Sequence, residues 1–415
     1  MLIPLASTRV NDAFFHPLDG LVATSPHTYS CPEFSDEDWL LMGVQRVLER
    51  AESGRAFLQE HGPRFEYQPT RSNYFVAQNS PRRLDLVRDV NRRLLSAAVL
   101  PDHLAQLPEL KRYQCFALDG HWHQAATHDP RHDGTKMAVG HFYSLDLRGH
   151  QLRHLTVGEG LHEHDMSVLK RIKPSGLRHD VPKGQRVLIV YDKAGIDFAY
   201  WKRCQRECAV YFISRVKEGM VYDWLADRPV DPHDPRQRGV TADRHLMTRE
   251  SHPMRIIAYT DPASGQAYEF LTNEMDLPAG VIAELYRRRW DVEKVFDQIK
   301  NKLDEKKAWG TSLTAKATQG QLVALTHNLL LRYEARLERE HGVNNAAEDQ
   351  RRQKRLQELK QAARQTGSPL TTLRTGLRRA TQRSVKFLRW LRQALRENLA
   401  ETAAVPRLSQ LYASL

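Results

Sequence analysis

The sequence predicts a mixed α/β domain with a helical region on each side of it. Between residues 109 and 330, short apolar strand patterns alternate with helical ones, and two of those strands are followed directly by an aspartate. A long amphipathic helix comes after them, and both flanks contain helical patterns only. Strands and helices that alternate in this way are typical of a sheet with helices packed against it. The 415 residues are enough for two or three domains.

The N-terminal region, residues 1–108, is predicted to be helical, with one strongly basic helix. Ser35 with an acid three residues later, Asp38, is typical of a helix start, and Ser80-Pro81 of another. The helix after Ser80 displays a row of arginines, which either bind phosphates or form a solvated face. They are Arg82, Arg83, Arg88, Arg92 and Arg93.

The central region carries the strand patterns. Tyr113–Leu118 and Arg186–Tyr191 are predicted strands that end on Asp119 and Asp192. The remaining elements include a hairpin around residues 148–150, a helix over 166–172, a strand over 209–216, an irregular or inserted segment at 217–252, two strands at 254–260 and 267–272, and one long helix over 279–303. Further helices are predicted over 314–340, 347–366 and 382–399.

The charge of the chain indicates a polyanionic partner. The net charge is +12, and the stretch from Arg351 to Arg396 has 14 Lys or Arg residues and one acid, Glu358. Such a stretch repels itself unless it rests against an anion, and nucleic acid is the commonest one. We therefore predict that residues 331–415 form a basic helical region. No apolar run approaches the roughly 20 residues of a membrane helix.

Composition also excludes several classes of protein. Four cysteines in 415 residues do not make a disulfide scaffold, and the N-terminus has no secretory pattern. A cytoplasmic protein that is not associated with a membrane is expected. No GxxxxGK[ST] motif supports ATP-driven chemistry. Nine histidines between His121 and His164 lack the spacing of a zinc protease, and Cys204 and Cys208 have no second cysteine pair, so both are interpreted as unrelated to metal.

Three acids form the candidate site. An aspartate at a strand end is often only a turn former, but Asp119 and Asp192 on adjacent strands would face one another at one sheet edge. Two close carboxylates repel unless a cation separates them, and Mg²⁺ prefers carboxylate oxygens. Glu293, in the long helix, would be the third ligand of a two-metal site.

The helix that carries Glu293 has a second polar stripe beside its apolar one. At roughly 100° per residue, Arg289, Glu293 and Lys300 fall within a sector of about 60° that starts at Tyr286. This places a phenol, a guanidinium, a carboxylate and an ammonium on one strip. An ordinary amphipathic helix, with Arg289 and Glu293 as an i, i+4 ion pair, would give the same pattern.

The string YRRRWDVEKVFDQIK resembles the signature of the insertion-sequence-four family of transposases. That signature is Tyr, two residues, Arg, three residues, Glu, six residues and Lys, which Tyr286, Arg289, Glu293 and Lys300 match at every step. Phe270-Leu271-Thr272-Asn273 and Asp192-Lys193-Ala194-Gly195 are also similar to the family. Around Asp119 the match is looser, because Gly120 stands one position early.

The resemblance implies a ribonuclease-H-like catalytic core at 109–330, with a β-rich insertion at about 205–276. It implies a DDE transposase whose Asp119, Asp192 and Glu293 bind two Mg²⁺ or Mn²⁺ ions, and whose Tyr286, Arg289 and Lys300 contact DNA. The partners would be double-stranded DNA, as transposon ends and target, and a second copy in a synaptic homodimer. Two alternatives remain: an inactive, domesticated DNA-binding relative, and a stand-alone metal-dependent nuclease.

Overall fold

The fold is taken from a computed structural model of the chain. It describes residues 8–343 and 382–413, except 32, 52, 66, 98–99, 127–128, 130–137, 159–162, 263–264 and 304, and also positions 354, 357, 358 and 361. The predicted helix at 347–366 and most of the basic stretch from Arg351 lie outside the described residues. Within the described ranges, no helix is long and apolar enough to cross a membrane.

The chain divides into two compact units, which we call the helical unit and the sheet unit. The helical unit comprises Met1–Leu100, Asp297–Glu305 and Leu325–Leu415, and the sheet unit comprises Pro101–Phe296 and Lys306–Ala324. The division into an N-terminal, a central and a C-terminal region at residues 108 and 330 stays a prediction.

Thirteen α-helices lie in the described part of the chain. They are α1 (Val10–Phe15), α2 (Asp36–Glu49), α3 (Gly54–His61), α4 (Arg71–Gln78), α5 (Pro81–Ser96), α6 (Asp165–Lys170), α7 (Pro174–Arg178), α8 (Phe198–Cys208), α9 (Ala279–Arg288), α10 (Trp290–Asp297), α11 (Leu313–His341), α12 (Gln382–Arg396) and α13 (Glu401–Ala413).

Both predicted N-terminal helix starts are confirmed. The Ser35 hydroxyl accepts a hydrogen bond from the Asp38 amide at 3.0 Å, and α2 begins at Asp36. The Ser80 hydroxyl accepts one from the Arg83 amide at 3.3 Å, with a proline as the first residue of α5. In each case the side chain satisfies an amide that the first turn leaves without a helical partner.

Four of the five arginines of α5 are at least partly exposed, as predicted, and the fifth is not. The choice between phosphate binding and a solvated face stays a prediction. Arg83 is buried, and its Nε donates to Asp36 at 3.0 Å; Arg82 binds the same carboxylate at 2.6 and 2.8 Å. Arg88 and Arg92 pair with Asp85 and Asp89 of the same helix, and Arg93 also reaches Asp89. Three carboxylates therefore offset part of the charge of the five arginines, and Arg82 and Arg83 hold α5 against α2.

A nine-stranded sheet forms the centre of the sheet unit. Its order is β3-β2-β1-β4-β5-β9-β8-β7-β6; β1 pairs in parallel with β4 and β4 with β5, and all other neighbours are antiparallel. The strands are β1 (Tyr113–Gln124), β2 (Ala138–Asp146), β3 (Leu152–Val157), β4 (Arg186–Val190), β5 (Val210–Arg215), β6 (Tyr222–Arg228), β7 (Val240–Thr248), β8 (Pro253–Thr260) and β9 (Ala267–Thr272).

Two strand predictions are corrected. Strand β1 does not end before Asp119 but continues to Gln124, because its second half pairs with β2. Strand β2 is also the first strand of the predicted hairpin around residues 148–150. The segment 217–252 is not irregular: it contains β6 and β7, which pair with each other at the far end of the sheet. Every residue of β6 from Tyr222 to Asp227 is exposed, so this strand lacks the alternation by which half-buried strands are identified.

The predicted long helix at 279–303 is interrupted twice. Helix α9 ends at Arg288, and α10 begins at Trp290. Residues Gln298–Lys302 then form a π-helical turn, in which each residue turns through a smaller angle than in an α-helix. The arithmetic of 100° per residue therefore does not hold as far as Lys300.

The sheet is covered by α8 through stacked aromatic packing. The rings of Trp201 on α8 and Phe212 on β5 are parallel within 2°, with centroids 4.8 Å apart. Both side chains belong to a buried cluster that also includes Ile189 of β4 and Leu271 of β9. This packing stabilises the parallel strand pair β4–β5. Asp192, the second predicted acid, follows β4.

His179 gives the sheet unit a pH-dependent contribution to stability. Burial lowers the pKa of its imidazole to about 3, and Nε2 lies 3.1 Å from the Ser144 hydroxyl. The unfolded chain therefore takes up a proton below about pH 6.5 that the folded chain does not, which lowers stability as the pH falls.

We expect His179→Gln to lose this dependence. Relative to the wild type, its free energy of unfolding should improve by roughly 2 kcal/mol between pH 8 and pH 5, at about 1.36 kcal/mol per pH unit below 6.5. Urea unfolding at both pH values measures the difference. The exposed His233→Gln is the control, and equal slopes for wild type and His179→Gln would contradict the expectation.

Candidate active site

Asp119 lies inside β1 and is largely buried. It stands opposite Tyr143 of β2, and its Oδ1 accepts a hydrogen bond from the Gly120 amide at 2.8 Å. Burial raises the pKa of Asp119, Arg289 and the Gly120 amide lower it, and the charges of Asp192 and Glu293 raise it, so that the net value is about 6. Asp192 and Glu293 are therefore both close to Asp119.

Asp192 follows β4 at the position that corresponds to Asp119 on β1. Ala117 of β1 pairs with Val190 of β4, and each aspartate comes two residues later. Because neighbouring strands lie about 4.8 Å apart, equivalent positions bring both carboxylates to one end of this parallel pair. The prediction that Asp119 and Asp192 face the same place is confirmed, although only Asp192 follows a strand end.

The loop after β4 holds Asp192 in a tight turn. Its Oδ1 accepts from the Ala194 amide at 2.7 Å, and its backbone carbonyl accepts from the Ser214 hydroxyl at 2.8 Å. A Cβ at Gly195 would lie only 1.6 Å from Cδ1 of Tyr191. The backbone therefore packs directly on this ring, and only glycine fits in this turn without a shift.

Glu293 reaches the site from α10. Its Oε1 accepts a hydrogen bond from Nη2 of Arg289 at 2.8 Å, and Nη1 of the same guanidinium lies 3.5 Å from Oδ2 of Asp119. The side chain of Glu293 is 37% exposed, whereas that of Arg289 is 10% exposed. The i, i+4 ion pair that was one of the two interpretations is present, and it extends to an acid of the sheet.

Arg289 also contacts two aromatic rings, those of Tyr286 and Trp290. The guanidinium carbon of Arg289 lies 5.8 Å from the centre of the Tyr286 ring and 5.5 Å from that of Trp290. Burial raises the pKa of Tyr286, so its hydroxyl stays protonated. Burial lowers the pKa of Arg289, but Tyr286 and the neighbouring carboxylates outweigh it, and the net shift is upward.

The segment Phe270–Asn273 packs against Tyr286 and is hydrogen-bonded to β5. The ring of Phe270 packs against Tyr286, with centroids 4.8 Å apart. Thr272 donates to the Phe212 carbonyl at 2.6 Å, and the Asn273 side chain accepts from the Phe212 amide at 2.7 Å. These contacts join β9 to β5, whose Ser214 holds the turn of Asp192.

A fourth acid lies close to Asp192. Burial and the charge of Asp192 raise the pKa of Asp165, which begins α6. Glu163, the other acid of that stretch, is instead paired with Arg171. Lys300 belongs to the π-helical turn of the helical unit, so its place beside the acids stays a prediction.

The acids suit a hard divalent cation by their chemistry. Three carboxylates that repel one another supply the oxygen ligands that Mg²⁺ and Mn²⁺ prefer. As placed, however, no three His, Cys, Asp or Glu side chains of the described residues surround one point closely enough to hold a metal ion. The guanidinium of Arg289 provides the positive charge between Asp119 and Glu293 instead.

Four histidines of the sheet unit pack ring against ring. His121, His123, His141 and His154 are buried, and neighbouring ring centroids along this series lie 4.7, 4.6 and 5.3 Å apart. Burial holds the pKa of His141 well below its usual range. Cys204 and Cys208 are free thiols.

The sequence is similar to those of known proteins. Residues 111–329, just over half of the chain, match the family model described as transposase DDE domain. The chain is also similar to the probable transposase for insertion sequence element IS5377 of Geobacillus stearothermophilus, with 27% identity over 162 residues. That match covers 37% of this chain and 42% of the relative, so the chain spans less than half of that protein's length.

Proposed function

The chain belongs to the family of transposase DDE domains, and from this we propose that it is a DNA transposase of the insertion-sequence-four family. It would bind the terminal inverted repeats of its element and carry out metal-dependent cleavage and strand transfer. One observation carries the proposal: Asp192 and Glu293, far from Asp119 in the sequence, both lie close to it, Asp192 through the pairing of β1 with β4 and Glu293 through their shared contact with Arg289. Three such carboxylates are the ligand set for in-line phosphoryl transfer.

We propose that β1–β5 are the ribonuclease-H-like core and that β6–β9 are the insertion. Asp119 lies in the first of these five strands and Asp192 follows the fourth, and the five include both parallel pairs. Strands β6–β9 lie in the chain between Asp192 and Glu293, and they extend the sheet through the β5–β9 pairing. An insertion at this place lengthens the sheet without disturbing the β1–β4 pair that positions the aspartates.

The residues of the chain have distinct roles in the proposed reaction. Asp119, Asp192 and Glu293 would hold two Mg²⁺ or Mn²⁺ ions, which when bound activate a water or 3′-hydroxyl and stabilise the leaving oxygen. The Gly120 amide holds one oxygen of Asp119, which leaves Oδ2 on the side of Arg289. Arg289 offers a planar fork of donors that suits a phosphate, beside the hydroxyl of Tyr286.

The surroundings of the site would hold the DNA duplex. The N-terminal helices and the basic C-terminal region would contact the transposon end through its phosphates, with Lys300 close to the cleaved strand. Two ends must be paired, so a synaptic homodimer is part of the proposal, as is association with the nucleoid. The net charge of +12 supports DNA binding, because phosphate contacts dominate affinity for DNA.

The proposal predicts cleavage and joining at the ends of the element. Linear DNA with the inverted repeats that flank the gene, incubated with the protein and Mg²⁺, should yield cut ends and joined products on a gel. DNA with scrambled repeats is the control. Binding without cleavage would favour an inactive DNA-binding relative, and equal cutting of scrambled DNA a stand-alone nuclease; either outcome would refute the transposase.

A further inference from the structure

The position of Arg289 is unusual for a residue expected to bind DNA. Its side chain is only 10% exposed, and both of its terminal nitrogens are directed at acids: Nη2 at Glu293 at 2.8 Å and Nη1 at Asp119 at 3.5 Å. Its buried Nε has no hydrogen-bond partner among the described residues. One donor of the guanidinium is thus unused, although buried donors are nearly always satisfied.

The guanidinium and a divalent cation compete for the same oxygens. Asp119 and Glu293 are two of the three proposed metal ligands, and in this structure both face Arg289. An arginine cannot lose its proton in a protein, so it can leave the acids only by moving away from them. As long as Arg289 stays in place, it occupies oxygens of Asp119 and Glu293 that a cation would bind, and its positive charge repels the cation.

A phosphate is the acceptor that would draw Arg289 away. Guanidinium–phosphate pairs are bidentate and charge-assisted, so a phosphate could use the Nε donor together with one Nη. The guanidinium carbon already lies 5.8 Å from the centre of the Tyr286 ring and 5.5 Å from that of Trp290, and Trp290 is 57% exposed. A path from the acids toward solvent and DNA therefore runs along aromatic faces, where a guanidinium remains stabilised.

We propose that Arg289 is an internal counter-ion that couples metal binding to DNA binding. Without DNA it neutralises Asp119 and Glu293 and keeps the cation affinity low. When a DNA phosphate takes the guanidinium, the two carboxylates become available and the metal binds more tightly. By linkage, the metal increases the affinity for DNA by the same factor. The inference rests on the proposed function, since it assumes that these acids are the metal ligands.

The test is Mn²⁺ affinity, measured by titration with electron paramagnetic resonance on the full chain at fixed ionic strength. Without DNA, Arg289→Ala and the longer, uncharged Arg289→Gln should bind Mn²⁺ roughly 10-fold more tightly than the wild type, within the usual 5–150-fold range of coupling. A duplex that ends in the terminal repeat with a 3′-dideoxy nucleotide, which prevents joining, should tighten binding by the wild type and leave both variants unchanged.

Arg287→Ala is the matched control. It removes the same charge from the same helical segment, but its partner is Glu284, and its side chain is 68% exposed. Its Mn²⁺ affinity should change less than 2-fold, by the small value of exposed ion pairs. Equal or weaker Mn²⁺ binding by both Arg289 variants would overturn the inference, because Arg289 would then only hold the acids in place.

A separate variant distinguishes failure of the counter-ion role from failure of the proposed metal site. Asp192→Asn leaves both partners of Arg289 intact and removes one proposed ligand. If wild-type Mn²⁺ binding is unaffected by Asp192→Asn, the site assignment itself is wrong. If Asp192→Asn weakens binding and the Arg289 variants do not strengthen it, the site stands and the counter-ion role is refuted.

Discussion

Glu293→Gln should lower the rate of DNA-end cleavage roughly 10³-fold while the protein stays folded. A metal ligand supplies several kcal/mol of transition-state stabilisation, and each 1.36 kcal/mol is a factor of ten in rate. The amide keeps the shape of the carboxylate and still accepts a hydrogen bond from Arg289. Since the side chain is 37% exposed, we expect stability to change by less than about 1 kcal/mol.

The measurement is single-turnover cleavage of a labelled repeat-end duplex, with a thermal melt of each protein. Glu284→Gln is the matched control: the same change, one helix earlier, on a carboxylate that binds Arg287 and Arg288. The control should retain activity within a few-fold. Cleavage by Glu293→Gln at the wild-type rate would remove Glu293 from the active site.

Arg255→Met should destabilise the sheet unit by about 3–5 kcal/mol, because it removes the two-point partner of the buried Asp243 carboxylate, which keeps the longer contact with Nε of Arg228 at 3.4 Å. Arg255 on β8 is 1% exposed and binds Asp243 of β7 with Nε at 3.1 Å and Nη2 at 2.6 Å. Its Nη1 also donates to the carbonyls of Glu274 and Leu277, at 3.1 and 2.8 Å. These carbonyls precede α9, so one guanidinium joins the proposed insertion to the start of the helical segment that leads to Glu293.

Urea unfolding followed by circular dichroism measures this effect. The double variant Arg255→Met/Asp243→Leu should recover much of the loss, because replacing both members of a buried pair removes the uncompensated charge. Arg244→Met is the control: this arginine of β7 is 38% exposed and 4.0 Å from Asp227, and its loss should cost less than about 1 kcal/mol. A change below 1 kcal/mol for Arg255→Met would contradict the role of this pair.

Much of the fold could be predicted from local chemistry. Ser35 and Ser80 mark helix starts because their hydroxyls accept first-turn amides, which is a property of the nearby sequence alone. The hairpin around residues 148–150 and the strands that became β4, β8 and β9 were predicted from apolar patterns and turn residues. These elements are confirmed because nothing distant opposes their local preference.

Other features depend on distant partners and were therefore mispredicted. Asp119-Gly120 has the composition of a strand end, but β2 pairs along it as far as Gln124, and tertiary pairing overrides propensity. Arg83 was predicted on an open face, yet it is buried on Asp36, which lies in another helix. Neither partner is detectable from residues near the position in question.

For the candidate site, the helical period was enough to predict that Tyr286, Arg289 and Glu293 lie along one side of the same segment, and two apolar strand patterns were enough to suggest that Asp119 and Asp192 lie near one sheet edge. The matched positions of the two aspartates depend on the pairing of β1 with β4, which local patterns do not contain. The contact of Arg289 with both Glu293 and Asp119 was not predicted either, because Asp119 lies 170 positions away in the sequence. Periodicity orders residues within one element, whereas the charge that a buried carboxylate meets is set by the elements packed around it.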